Sequence, residues 1–326
     1  MNADVIIEKS LRFCQIRIIK FFLQIFEVII FWYYSKQFKK RKKINSKFFI
    51  YCQLFYGNKI SALYRRRKHE ILVEKLDLNS EIDSKVYELT NKSYVKLFDL
   101  SSQEVKNSVE YFYKQKIYTS HVPNDPAYPN KLISVDEFLN TEDPTYNYAS
   151  FDINTSLNSD VVKKICSMEQ IWKIAKKYLN NEEVNIFSIN TMLAKNSKIK
   201  NYVVNMHADF DSANMVAFFV YWTDVSKKDG ATRILPGSHL YLHDRKLPGY
   251  IDESLTKYLE DRGGAVFAID PWALHAGNPN ISSPRLVTWI RFSSMPAQSY
   301  YLNRNYLFKD KLNEINKKFG KVDNAR

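Results

Sequence analysis

The chain has 326 residues, 45% of them hydrophobic, so it can bury a substantial core and is not disordered throughout. Only 8 glycines stand against 22 tyrosines and 21 phenylalanines, which excludes collagen-like and glycine-rich low-complexity readings. A formal charge of +13 points to nucleic acid or anionic lipid as a partner, but its placement narrows the choice. Residues 1–70 hold 16 Lys and Arg against 4 Asp and Glu, whereas residues 71–326 hold 32 against 31. The body has no reason to bind a polyanion, so no nucleic-acid partner is expected. Cys14, Cys52 and Cys166 form neither a CxxC pair nor an even disulfide framework, which fits a reducing, cytoplasmic setting.

In chain order, residues 1–70 read as a basic segment of apolar helices. From Arg17 to Tyr34 the polar residues Arg17, Lys20, Gln24 and Glu27 form one narrow stripe on a helix with a wide apolar face. The charges leave too short an apolar run to span a bilayer, and Glu27 argues against a secretory signal. Basic runs follow at Lys39–Lys43 and at Arg65-Arg66-Arg67-Lys68, with the apolar stretch Phe48 to Tyr56 between them. Two readings stand side by side. The segment lies on an anionic membrane surface with its basic runs on the headgroups, or its helices pack on the body.

Residues 71–326 read as one electrically balanced globular body. Tyr94 to Phe98 alternates as a strand, and Ser101 with Glu104 opens a helix running to about Gln115. His121 to Tyr148 reads as a long loop, and Val161 to Leu179 as one helix. Beyond residue 184 short β-rich runs alternate with turns: Val184–Met192, Tyr202–His207, Met215–Thr223, Thr232–Leu235, Ala265–Ile269 and Leu286–Ser293. Six of the eight glycines fall between Gly230 and Gly277. This pattern predicts a sandwich or barrel core over about residues 184–300, with flanking helices.

The residues that carry chemistry are His207-Ala208-Asp209, His275 and Arg285. Positions i and i+2 of a strand face the same way, so His207 and Asp209 can converge, and His275 supplies a second imidazole from a later strand. Two histidines and one carboxylate on one face of a metal, with the opposite positions open, is the arrangement of non-heme Fe(II) oxygenases. An HxD pair alone is a weak signal. The tight turn Pro236-Gly237-Ser238-His239, the entry Gly263-Gly264 into a strand and the turn Asn278-Pro279-Asn280 around it raise its value. His239 itself reads as structural, and His69, His121 and His243 as non-ligands.

Taken together, MHADFD (206–211), FFVYWTDVSKKDGATRILPGSH (218–239), GGAVFAIDPWALHAGNPN (263–280) and RLVTWIRFS (285–293) resemble the phytanoyl-CoA dioxygenase family of Fe(II)/2-oxoglutarate oxygenases. A weaker likeness covers YVKLFDLSSQEV (94–105) and the helix before residue 180. The resemblance implies a double-stranded β-helix, a jelly-roll of the cupin kind. It implies Fe(II) held by His207, Asp209 and His275, and 2-oxoglutarate held through its distal carboxylate by Arg285. A planar guanidinium suits that carboxylate better than an ammonium. Arg291 lies six residues on and shares the face of an ideal strand, so it competes for the role; the distance from His275 matches the family at Arg285. Family members often carry a serine two residues after the distal histidine, where this chain has Gly277. Asn205, Asn190 and Thr223 are the further candidates for cosubstrate contacts.

The implied activity is hydroxylation of an unactivated C–H bond in a small organic or lipid-like substrate, with release of succinate and CO2. Asp209 argues against a halogenase, since related halogenases keep a small residue there. A rival reading is a non-catalytic membrane-surface protein on a degenerate oxygenase scaffold.

Overall fold

The computed structural model describes residues 17–22, 25, 59–119, 131–141, 148–195, 206–209, 211, 212, 214–240, 252–277, 282–294 and 314–318. The Lys39–Lys43 run, the Phe48 to Tyr56 stretch and Asn205 lie outside these residues. Among the described residues no helix is long and apolar enough to cross a membrane.

Two helices lead into the body, α1 (Lys59–Val73) and α2 (Glu81–Lys92), followed by β1 (Tyr94–Asp99) and α3 (Ser102–Tyr113). The start of α3 forms for the reason visible in its sequence. The Ser101 side chain accepts from the Glu104 amide, and Glu104 reaches back to the Ser101 amide at 2.9 Å, closing a capping box. The expected loop 121–148 contains regular structure. After β2 (Lys116–Tyr118) come β3 (Leu132–Ser134) and α4 (Val135–Asn140). Ser134 caps α4 by accepting from the Glu137 amide at 3.0 Å, and Val135 and Phe138 are buried, which anchors a segment whose composition looked loop-like.

β4 (Tyr148–Ser150) and α5 (Ile153–Asn158) follow, and the single helix expected over 161–179 is divided into α6 (Asp160–Cys166) and α7 (Glu169–Leu179). At the break the Trp172 indole donates to the Cys166 carbonyl at 2.8 Å, satisfying an acceptor that a continuous helix would have used internally. Ile171, Trp172, Ala175 and Tyr178 of α7 are buried, as the periodicity predicts.

The remaining strands are β5 (Asn185–Ala194), β6 (Met215–Tyr221), β7 (Thr232–Ile234), β8 (Lys257–Leu259), β9 (Ala265–Ile269), β10 (His275–Ala276) and β11 (Arg285–Ser293). They build two antiparallel sheets, an eight-stranded one in the order β1-β9-β6-β11-β5-β4-β2-β3 and a three-stranded one in the order β10-β7-β8. This is the mainly β architecture with flanking helices that the sequence predicts. The very short strand β8 carries too little alternation to be read in advance, whereas β10 supplies the later strand expected to carry His275.

Period-two alternation assigns the two faces of the large sheet. Leu286, Ile290 and Phe292 of β11 join Val216, Phe218, Val220, Val266 and Ala268 in the core shared with the helices. Val287 and Trp289 of β11 join Ala217, Phe219, Tyr221, Phe267 and Ile269 in a second, inner cluster that includes Ile234 of β7 and Leu259 of β8 in the small sheet. Arg285 and Arg291 share the parity of Val287 and Trp289, so they belong to this inner face. Gly264 permits the turn into β9. It sits at φ +103°, and a Cβ there would lie 3.0 Å from the Leu100 carbonyl oxygen.

The expected domain boundary at residue 70 falls within α1, and half of the basic run beside it points inward. Arg65 is 2% exposed; its Nε donates to the His239 carbonyl at 2.8 Å and its guanidinium lies 3.8 Å from the Trp272 ring centroid. Lys68 is also buried, donating to Asn214 Oδ1 at 2.9 Å and resting on the Tyr178 ring. Buried cations need a counter-charge, and buried Asp270, which accepts from the Tyr178 hydroxyl, provides it. Arg66 faces solvent.

Candidate metal centre

Residues 206–209 run antiparallel to 271–275. His207 and His275 form a bonded bridge pair, each amide donating to the other's carbonyl at 2.9 and 2.8 Å, and the Asp209 amide donates to the Pro271 carbonyl at 2.8 Å. The 270–275 loop is itself held. The Asp270 carboxylate accepts from the Trp272 amide at 2.8 Å, and the Trp272 indole donates to the Ser212 carbonyl at 2.8 Å. Behind it, the Ser238 hydroxyl accepts from the Leu274 amide at 2.8 Å, so the Pro-Gly-Ser-His turn braces the approach to His275. His239 is buried with Nε2 3.1 Å from the Thr90 carbonyl, the structural position its sequence context predicts.

This backbone brings His207, Asp209 and His275 together, with one ligand atom from each within 4.8 Å of the others. His207 Nε2 lies 3.8 Å from Asp209 Oδ1, and His275 Nε2 lies 3.9 Å from Asp209 Oδ2. His275 Nδ1 is 2.9 Å from the Ala273 carbonyl, which fixes the tautomer with the proton on Nδ1. The lone pair on Nε2 then faces the cluster, and this buried atom has no hydrogen-bond partner among the described residues. An imidazole oriented by a backbone carbonyl, with its other nitrogen unsatisfied beside a carboxylate, is what a divalent metal requires.

The electrostatics agree. Burial, together with the neighbouring His207, pushes His275 down to about 4, keeping it neutral. Burial alone would raise Asp209, but Arg291, His275 and His207 outweigh it and hold the carboxyl below its ordinary range. A neutral imidazole and an ionised carboxylate are the ligand forms a metal binds.

The two arginines differ. Arg285 is buried at the start of β11; one Nη donates to the Gly230 carbonyl, while Nε has no partner among the described residues. Arg291 is paired, with Nη2 3.1 Å from Asp209 Oδ2 and Nη1 2.5 Å from Asp211 Oδ2. Asn190 pairs with Trp289 across β5 and β11, on the inner face. The Thr223 hydroxyl accepts from the Leu286 amide at 3.2 Å, beside Arg285. Asp211 escaped the sequence reading, although the alternation His207, Asp209, Asp211 carries the same parity one step further.

The family model described as phytanoyl-CoA dioxygenase matches residues 136–286, a span a little under half of the chain. It contains His207, Asp209, His275 and Arg285 and stops short of Arg291. A protein named dioxygenase cnsJ, from Penicillium expansum, is 35% identical over 69 residues, which is 21% of this chain and 20% of that protein. The match therefore spans about a fifth of that relative. Among solved structures, the non-heme alpha-ketoglutarate-dependent epimerase SnoN from nogalamycin biosynthesis is 16% identical, with a TM-score of 0.47 over 65% of this chain and 82% of that one. EctD from S. alaskensis with 2-oxoglutarate and 5-hydroxyectoine is 18% identical, with a TM-score of 0.45 over 64% and 75%.

Proposed function

We propose that the chain is an Fe(II)- and 2-oxoglutarate-dependent dioxygenase that hydroxylates an unactivated C–H bond of a small organic or lipid-like substrate. The observation that carries this reading is the convergence of His207, Asp209 and His275 around a buried His275 Nε2 that no group among the described residues satisfies. In this reading these three residues hold the iron. Bound iron and 2-oxoglutarate supply oxidative decarboxylation to succinate and CO2, coupled to oxygen insertion into the substrate.

The protein's own residues orient and exclude. The Ala273 carbonyl keeps the His275 ring turned so that Nε2 remains a donor to metal. Arg285, with Nε unpartnered in a buried position, receives the distal carboxylate of 2-oxoglutarate; Asn190 and Thr223 remain the further contact candidates among the described residues. The inner wall of Phe219, Tyr221, Phe267, Val287 and Trp289 keeps water away and favours an apolar substrate.

Peripheral contact with an anionic membrane is a second reading of residues 1–70. It is favoured by Ile18, Phe21 and Phe22, all more than half exposed on the helical residues 17–22. Arg65 and Lys68 do not serve it, because both are buried.

The test is succinate formation from 2-oxoglutarate by the iron-loaded chain, screened across metabolite pools. Substrate-dependent succinate that disappears on chelation is expected. A chain that binds Fe(II) stoichiometrically yet releases no succinate with any pool would favour the non-catalytic scaffold.

A further inference from the structure

Arg291 leaves β11 between two small neighbours, Ala217 on β6 and Ser188 on β5. That gap lets its guanidinium run along the inner face to Asp209 and Asp211. Each terminal nitrogen takes a different carboxylate, Asp209 Oδ2 at 3.1 Å and Asp211 Oδ2 at 2.5 Å. The Arg291 side chain is 7% exposed, and the Trp289 ring lies 5.0 Å from its Cζ, so packing holds the fork as well as charge does. Asp209 therefore presents its two oxygens to different surroundings. Oδ2 carries the guanidinium, while Oδ1 faces His207 at 3.8 Å.

We propose that Arg291 and Asp211 form a clamp that restricts Asp209 to ligation through one oxygen and keeps Asp211 out of the coordination sphere. This inference rests on the reading that His207, Asp209 and His275 hold the metal. Its physical content is a competition. A free carboxylate next to a divalent cation can bind it through one oxygen or both, and a second carboxylate two residues on can join it. Every position so filled is one that 2-oxoglutarate, which needs two, cannot use. A guanidinium already hydrogen-bonded to Oδ2 and to Asp211 opposes both events, because each would break a charge-assisted bond in a poorly solvated site. Arg291 is thus a positioning residue acting through Asp209. With both terminal nitrogens engaged, it is not the arginine that receives the cosubstrate.

The two members of the clamp respond in opposite directions, which separates the proposal from plain destabilisation. Removing Arg291 takes a cation away from the metal and frees both carboxylates. Arg291→Ala should bind Co(II) as tightly as wild type or more tightly. Its Co(II) absorption spectrum without 2-oxoglutarate should change as the coordination number rises. The affinity of the Co(II)-loaded chain for 2-oxoglutarate should fall by about tenfold or more, the scale of groups that orient metal ligands. Arg291→Lys, which can keep one ion pair, should lie between. Removing Asp211 leaves the whole guanidinium charge on Asp209. Asp211→Asn should weaken Co(II) binding by about tenfold while preserving the shape of the spectrum.

The experiment is a Co(II) titration of the full chain, read by visible absorption, followed by a 2-oxoglutarate titration. Arg285→Ala is the control that should lose 2-oxoglutarate affinity with an unchanged Co(II) spectrum. Unchanged spectra in Arg291→Ala and Arg291→Lys, or weaker Co(II) binding in every variant with no spectral change, overturn the clamp. If Arg291→Ala does not fold, Arg291→Lys and Asp211→Asn decide by the same criteria. Loss of Co(II) in His275→Ala alongside unaltered behaviour of the clamp variants removes the clamp and leaves the metal reading standing. No Co(II) uptake by wild type removes both.

Discussion

The two ends of the inner face of β11 carry the same residue type in opposite states. Arg285 and Arg291 are six residues apart, roughly 20 Å along the strand, and both are buried. Arg285 ends in a backbone carbonyl and an Nε unpartnered among the described residues, whereas Arg291 ends in two carboxylates. A buried guanidinium with spare donors is prepared for an incoming anion, and one already neutralised by the protein is prepared to hold something still. One side chain at two positions thus does two jobs, and what assigns them is the carboxylate supply from the 206–212 segment rather than anything in β11. The paired end is also supported from behind, since Arg65 stacks on Trp272 of the loop that ends in His275.

The largest expected effect comes from removing that support. Deleting residues 1–70 cuts through α1 and takes away Arg65 and Lys68, leaving Asp270, Tyr178 and Trp272 without their covering helix. Loss of soluble, metal-binding protein is expected from this deletion, while deletion of residues 1–58 keeps α1 and should retain both. Flotation with anionic vesicles at low salt, compared between full-length and 59–326 chains, then reports whether the first segment contacts membrane. A soluble, metal-loaded 71–326 chain would show that α1 does not support the paired end.

Next in size is the open end. Arg285→Ala should raise the 2-oxoglutarate requirement by about two orders of magnitude or more, since leaving one partner of a buried charge pair uncompensated costs roughly 3–5 kcal/mol. Arg285→Lys should recover part of it, and Co(II) affinity should stay within about threefold, because no carboxylate of the cluster is paired with Arg285 in the way Asp209 is with Arg291. A normal 2-oxoglutarate requirement in Arg285→Ala would collapse the contrast between the two ends.

Much of this was legible in the sequence. The β-rich runs of β6, β9 and β11 and the capping box at Ser101 stand where the sequence reading places them, and His207, Asp209 and His275 come together in the fold. What was not legible depends on partners distant in the chain. The break after Cys166 is the exception, since the indole of Trp172 that satisfies its carbonyl lies only six residues on. The inward turn of Arg65 and Lys68 needs Asp270, some two hundred residues away, to make a basic run into a buried one. The division of labour between Arg285 and Arg291 needs Asp211, which local pattern alone cannot pair with a strand 80 residues on.

The smallest effect concerns acid stability and compares two buried histidines near the paired end. His275 and His239 are each held down to about 4, in both cases chiefly by burial. The unfolded chain takes up a proton at each near pH 6.5, whereas the folded chain does so only near 4. Stability contributed by keeping them neutral is therefore complete above about pH 6.5 and is lost as the pH falls toward 4. Each should cost roughly 2 kcal/mol by pH 5, at 1.36 kcal/mol per unit of difference. Glu104 and Asp83, whose carboxyls are lowered, act at more acid pH than this window. Chemical denaturation of the metal-free chain at pH 7.5 and pH 5 measures the loss, to which His69, also lowered by burial, adds, and His239→Gln should remove a part of it somewhat under half by deleting one titrating group while offering Thr90 an amide donor. Saturating Co(II) at pH 7.5 should add stability to wild type and to His239→Gln alike, because ligand binding to the folded state stabilises it by mass action. Acid loss undiminished in His239→Gln would mean that His239 is not kept neutral. A Co(II) increment lost with His239 would place it, against its contact with Thr90, among the groups that hold the metal.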